Sequence, residues 1–340
     1  MLEFPLEFIR TIQNTFGEDG VHWLDSFPAL LAEATRRWGL TEIQPVPNLS
    51  YNFVAFALRA ASDSEHSRSA GYAIRPSTSP RRARGSAQDQ VILKLGVPHR
   101  ELTSEIAALR YYEGRGVCRL LDADAEKGML LLERLEPGHM LSTLENDDRA
   151  TRIAADVMKT LWESSNDFSR LITTEVVTTK FIQLKDWFAG FPRLRQHFNG
   201  GTGPLPKRLV ETAEALSSAL LSENKEETLL HGDFHHFNVL ESERGWLVID
   251  PKGVIGPRGY ELGPFLINPM PDFLNGSRPI VQTTRRIAIL SEMLGMERER
   301  IRAWGICHAV LSAWWCIEGN DPAGRQYSLR CADIFRQARV

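Results

Sequence analysis

The chain has 340 residues, 43% hydrophobic and 24% charged, which is ample for a sizeable core divided between two lobes and excludes a disordered, collagen-like or coiled-coil protein. Its 40 basic and 43 acidic side chains leave a formal charge of −3, so no overall positive field exists to hold a nucleic-acid backbone or an anionic membrane. Four cysteines, Cys118, Cys307, Cys316 and Cys331, lack CxxC spacing and are expected to be buried, reduced thiols rather than disulfides or zinc ligands.

The opening residues, MLEFPLEFIR, carry acids where a secretory signal would carry Lys or Arg, and a cytoplasmic location is expected. From Trp23 to Trp38 apolar residues recur at helical spacing, and Gly39 stands where such a helix would stop. Pro45 and Pro47 are expected to end regular structure. Two strands follow, Tyr51 to Leu58 and Val91 to Leu95. The Ser, Ala and Arg rich stretch between them, Arg59 to Gln90, reads as a mobile loop whose cluster Arg81, Arg82 and Arg84 is best taken as solvated.

Pro98 to Tyr112 is expected to be a helix with Leu102, Ile106 and Leu109 on one stripe and a glycine stop at Gly114. Met129 to Leu132 reads as a strand leaving through Glu133 and the Pro137-Gly138 turn. From Leu141 to Glu223 the pattern is helical, and it becomes so again at Arg285 to Met296 and Arg300 to Gly319. The hydrophobic stretch Ile301 to Ile317 is broken by Arg302 and His308 and falls short of the roughly 20 residues of a bilayer span, so it reads as a core helix. Trp304, Trp314 and Trp315 are assigned to that core. Within the helical half, Asn238 to Leu240 and Trp246 to Ile249 form a small hairpin around Gly245.

The reactive side chains concentrate on either side of that hairpin, between Leu229 and Asp250. His231-Gly232-Asp233-Phe234-His235-His236-Phe237-Asn238 is followed twelve residues later by Asp250. Phosphoryl transfer needs a carboxylate to orient the acceptor hydroxyl and take its proton, and oxygen ligands to hold Mg²⁺ against the phosphates. Asp233, five residues before Asn238, keeps the interval that protein kinases use between catalytic Asp and metal-binding Asn, and a returning strand would bring Asp250 back beside them as a second metal ligand.

HGDFHHFNVL with RGWLVIDPKGVIG resembles the aminoglycoside phosphotransferases, in particular the streptomycin 6-kinase type grouped as aminoglycoside/hydroxyurea resistance kinases. The likeness extends through FGEDGVHWL, VILKLGVPHRELTSEIAALR, LLLERLEPG and RIRAWGICHAVLSAWW, most of the chain. It implies a bilobal, protein-kinase-like α+β fold, with a β-rich N-lobe over residues 1–134, a helical C-lobe over 135–340 and nucleotide, ATP with GTP as an alternative, in the cleft between the lobes. It also implies that Lys94 contacts the nucleotide phosphates, that Glu105 pairs with Lys94, and that Glu133 to Gly138 is the hinge meeting the base. A lysine in an apolar strand would be costly to desolvate without such a partner.

One departure from the kinase pattern is that residues 47–53, PNLSYNF, lack the glycines that usually cover the phosphates, so Ser50 and backbone amides are expected to substitute. Another is the length of the Arg59 to Gln90 stretch. The small-molecule acceptor would be streptomycin or a related aminocyclitol, giving antibiotic resistance. Glu261, Asp272, Glu318 and Asp321 are candidates, by position alone, for its cationic groups. Lys252 and Arg258 are read equally as cations near the transferring phosphoryl group or as surface residues. Two other classes stay open: a catalytically silent nucleotide-binding protein, and a metal hydrolase built on His231, His235 and His236.

Overall fold

The computed structural model describes residues 4–60, 88–165, 181–222, 227–276 and 278–340. The expected loop cluster Arg81, Arg82 and Arg84 lies outside these residues, as does the part of the expected helical region numbered 166–180. The chain divides into two units, one taking the described residues up to Val97 together with Met129–Arg134, the other Pro98–Gly128 and Leu135–Val340.

In the first unit the helix Leu6–Trp38 begins far earlier than Trp23, because Phe8 and Ile12 are buried ahead of a kink at Gly17 (φ 57°, ψ −129°). Gly20 then packs so closely on Ile12 that a Cβ there would lie 2.6 Å from its carbonyl oxygen. The helix ends as expected at Gly39, whose φ of 61° places it in the left-handed region that favours glycine. Antiparallel strands follow in the spatial order Leu40–Pro45, Phe53–Ala60, Gln88–Leu95, Met129–Glu133. Regular structure does end at Pro45, but as the last residue of an edge strand not expected from the sequence, where a missing N–H costs no ladder bond.

The inner face of this sheet (Phe53, Ala55, Ala57, Val91, Leu93, Leu95) packs against Trp23 and Phe27 of the helix, with the Phe27 and Phe53 rings 4.9 Å apart. Strand alternation puts Lys94 on the opposite face, between Val54 and Leu130, and buries it.

The second unit contains the expected helix Arg100–Tyr112, with Leu102, Ile106 and Leu109 buried. Leu141 to Glu223 is not continuously helical: between the helices Asp147–Ser164 and Lys207–Ser222 the described residues include a short strand, Ile182–Gln183, that pairs with Val254–Gly256. The helix Arg298–Glu318 is buried on nearly all sides, with Trp304 and Trp314 in the core as expected and Trp315 only half-buried. Among the described residues no helix is long and apolar enough to cross a membrane. Among the described residues no disulfide joins the four cysteines, and burial pushes the Cys307 thiol pKa up.

Candidate active site

The site is built on two short sheets of the second unit. Thr228–Leu230 pairs with Val254–Gly256, so the chain enters the loop 231–238 from a buried strand. It leaves along Val239–Ser242, which turns at Gly245 and returns as Gly245–Val248 in antiparallel register, Val239 opposite Val248. One step beyond that pair, the Ile249 N–H donates to the Asn238 carbonyl at 2.9 Å. The hairpin thus brings Asp250 back beside Asn238.

His231 holds the loop from inside. Its Nε2 bonds the Ile249 carbonyl at 2.8 Å, and its Nδ1 lies 3.1 Å from the Asp233 N–H. Since Nδ1 must then accept, Nε2 carries the proton and donates. Burial pushes the imidazole down to about 4, so this neutral ring persists at physiological pH. Gly232 sits at φ +86°, and a Cβ there would lie 2.5 Å from Val254 Cγ2 and 3.2 Å from the Trp187 ring, so only glycine fits.

The backbone N–H groups of His231 and Gly232 both donate to Glu261, at 2.5 and 3.1 Å. Glu261, read from its position as a candidate contact for the acceptor's cations, is fully buried and anchors the loop 231–238. Glu318 likewise pairs with Arg193 at 3.1 Å, and Asp321 caps the helix Pro322–Gln337. Burial pushes the Glu261 carboxyl up to about 8 despite the two N–H donors. The folded chain therefore binds this proton more tightly than the unfolded one, whose carboxyl titrates near 4.5. The stability contributed is complete below that value and is lost as pH rises through about 8.

Melting temperature is accordingly expected to fall between about pH 6.5 and 8, above the range in which His231 and His308 titrate, and Glu261→Gln should flatten that slope. Glu261→Ala leaves two buried N–H groups without an acceptor and is expected to cost about 2–4 kcal/mol in denaturant titrations.

Asp233 stands at the open end of the loop. Burial alone would raise its carboxyl pKa, but the His235 ring, 3.6 Å from Oδ1, and the Lys252 ammonium reverse this and hold it below the usual carboxylate range. It is ionised at neutral pH. The Asn238 amide nitrogen donates to the Asp233 carbonyl at 3.0 Å and approaches His235 Nε2 at 3.3 Å, which leaves its Oδ1 as the lone-pair atom. Asp250 adopts φ 61°, and its Oδ2 is 3.4 Å from Lys252 Nζ. An amide oxygen and a carboxylate flanking one loop are the hard oxygen donors that Mg²⁺ takes, so the donor set fits that ion.

Glu105 is buried on the helix Arg100–Tyr112. Its neighbour Ser104 donates to the Gly253 carbonyl at 2.7 Å, tying that helix to the segment carrying Asp250. Asp233, Asn238, Asp250 and Glu105 therefore all belong to the second unit. The other three expected nucleotide contacts belong to the first: Lys94 is buried in mid-strand, Ser50 is exposed in the turn before Phe53–Ala60, and Glu133 ends the strand Met129–Glu133 opposite Val91.

The three histidines do not converge on a metal. Both ring nitrogens of His231 are engaged with the backbone, and His235 faces Asp233. His236 stacks on Phe265 at 4.5 Å with Arg286 Nη2 3.4 Å from its Nε2. Among the described residues no group of three or more His, Cys, Asp or Glu side chains is arranged to hold a metal ion.

Behind His236, the fully buried Arg286 forks onto Asp147 at 3.0 and 3.1 Å and donates to the Asn268 carbonyl at 2.6 Å. Neither this pair nor the Ser104–Gly253 bond carries a local sequence signal, since their partners lie 139 and 149 residues apart.

Comparison with known proteins places this geometry in a family. Residues 77–319 match the aminoglycoside/hydroxyurea antibiotic resistance kinases. Streptomycin 6-kinase of Streptomyces glaucescens is 28% identical over 340 residues, covering 99% of this chain and 98% of that one. Hydroxyurea phosphotransferase of Kitasatospora aureofaciens is 30% identical over 343 residues, covering 98% and 86%. A thermostable mutant of an aminoglycoside phosphotransferase, solved as a ternary complex with ADP and hygromycin B, aligns with a TM-score of 0.59 at 12% identity, over 91% of this chain and 98% of its own. A choline/ethanolamine kinase family protein from Mesorhizobium loti gives 0.58 at 13% identity, over 90% and 94%. These two structures establish the protein-kinase-like α+β fold expected from the sequence, with its sheet in the N-terminal part and its helices in the C-terminal part. A match running through both the strand that bears Lys94 and the loop that bears Asp233 leaves one assignment: the chain belongs to the aminoglycoside/hydroxyurea antibiotic resistance kinases, a family of phosphotransferases.

Proposed function

We propose that this chain transfers the γ-phosphoryl group of ATP to a hydroxyl of an aminoglycoside, streptomycin being the first acceptor to test, and so confers resistance to it. The observation that carries this reading is the Ile249-to-Asn238 backbone bond, which brings Asp250 back beside Asn238, five residues after Asp233. Asp233, ionised and fixed by the His231 bond to its N–H, orients the acceptor hydroxyl and receives its proton. Asn238 Oδ1 and the Asp250 carboxylate hold Mg²⁺, which when bound neutralises phosphate charge. In the other unit, Lys94 contacts the α and β phosphates. Ser50 and neighbouring amides cover the phosphates, and the backbone from Glu133 to Gly138 meets the base.

The 30% identity to a hydroxyurea phosphotransferase makes hydroxyurea the second acceptor to test. Cells expressing the chain are expected to tolerate streptomycin, and purified protein with ATP and Mg²⁺ to add one phosphate to it, read by mass spectrometry. Transfer to hydroxyurea alone would move the assignment to that acceptor, and nucleotide binding without transfer to any compound of an aminoglycoside panel would identify a silent nucleotide-binding protein. Running the assay with GTP in place of ATP settles the donor.

A further inference from the structure

The segment after Asp250 is held more tightly than a surface turn requires. The Lys252 N–H donates to the His231 carbonyl at 2.7 Å, on the catalytic loop itself. Gly253, at φ +65°, presses against the helix Arg100–Tyr112 so closely that a Cβ would lie 2.6 Å from the Ser104 carbonyl oxygen. Two independent anchors, the loop and the helix, therefore fix the backbone from which the Lys252 side chain departs. That side chain is 26% exposed, and its ammonium stands 3.4 Å from Asp250 Oδ2, longer than the roughly 2.7–2.9 Å of a well-formed charge-assisted bond.

We propose that Lys252 is a catalytic cation of the phosphoryl transfer, an ammonium stationed against Asp250 that bonds a non-bridging oxygen of the γ-phosphoryl group as it moves to the acceptor. The inference rests on the phosphoryl-transfer reading above. The carboxylates of Asp233 and Asp250 alone would repel a triphosphate, and the Lys252 contact to Asp250 is long enough to be exchanged for a phosphoryl oxygen.

In the step itself the acceptor oxygen forms a bond to the γ-phosphorus, and the bond from that phosphorus to the β,γ-bridging oxygen breaks. ADP departs with the electron pair, and the hydroxyl proton passes to Asp233. Lys252 keeps its proton throughout and supplies charge at the oxygens where negative charge is redistributed.

The test compares calorimetric binding of Mg-ADP and Mg-AMP-PNP to the full chain and its Lys252→Met and Lys252→Arg variants. Lys252→Met should weaken AMP-PNP at least about tenfold, the worth of one charge-assisted hydrogen bond, and leave ADP within about twofold. Lys252→Arg should recover most of the difference. Undiminished ADP affinity serves as the check that the variant is folded. Equal loss of both nucleotides, or loss of neither, overturns the role of Lys252. Wild-type protein that binds neither nucleotide overturns the kinase reading itself.

Discussion

Asp233→Asn is expected to lower turnover by about 10²–10⁴-fold, the range associated with loss of a positioned general base. Asparagine keeps the volume and a hydrogen-bonding oxygen, so an acceptor hydroxyl can still be bound, but no group remains to take its proton. The folded loop should survive, because its anchors are the His231 ring, the Asn238 amide to the Asp233 carbonyl, and Glu261, none of which uses the Asp233 carboxylate. Steady-state kinetics with the identified acceptor should therefore show the loss in kcat, with ADP affinity by calorimetry close to wild type. Near-normal turnover would remove Asp233 from the chemistry and return the catalytic loop to a merely structural role.

The largest expected effect on stability is at Arg286. This side chain is fully buried, forks onto Asp147, bonds the Asn268 carbonyl and lies over the Phe265 and Phe273 rings at 5.4 and 5.3 Å. Removing it as Arg286→Ala strands the Asp147 carboxylate beside a cavity and is expected to cost about 3–5 kcal/mol in chemical denaturation. Arg286→Met with Asp147→Leu should recover much of that loss, because breaking a buried pair costs more than replacing both partners by apolar groups. Arg286 also faces His236, whose ring burial and the adjacent guanidinium keep neutral. A drop in turnover of Arg286→Ala well below its melting temperature would show that the pair positions the loop as well as stabilising the helices. Full activity at that temperature would confine it to stability.

How much was legible in the sequence follows from how local each feature is. Asp233, Asn238 and Asp250 lie within one loop and the two ends of one hairpin, so spacing, the Gly245 turn and the apolar runs around it were enough to bring Asp250 back beside Asn238. The buried stripe of Arg100–Tyr112 and the stop at Gly39 were readable for the same reason: helix periodicity and left-handed caps are properties of a few consecutive residues. The strand Leu40–Pro45 was hidden because a terminal proline reads as a breaker until the strand is known to lie at a sheet edge. The first half of Leu6–Trp38 was hidden because Gly17 interrupts its periodicity.

By itself, then, the sequence determined the family and singled out the candidate reactive set, since both are written in short runs whose chemistry is set by neighbours along the chain. Only the tertiary structure decided which charges serve that set. Glu261 turned from a candidate for the acceptor into the anchor of two loop N–H groups, Ser104 became the clamp on Gly253, and Lys252 took its place beside Asp250. The physical reason is that burial and Coulomb interaction depend on distance through space. Glu261 and Gly253 reach their partners across 30 and 149 residues, separations at which no pattern along the chain reports who will be near whom.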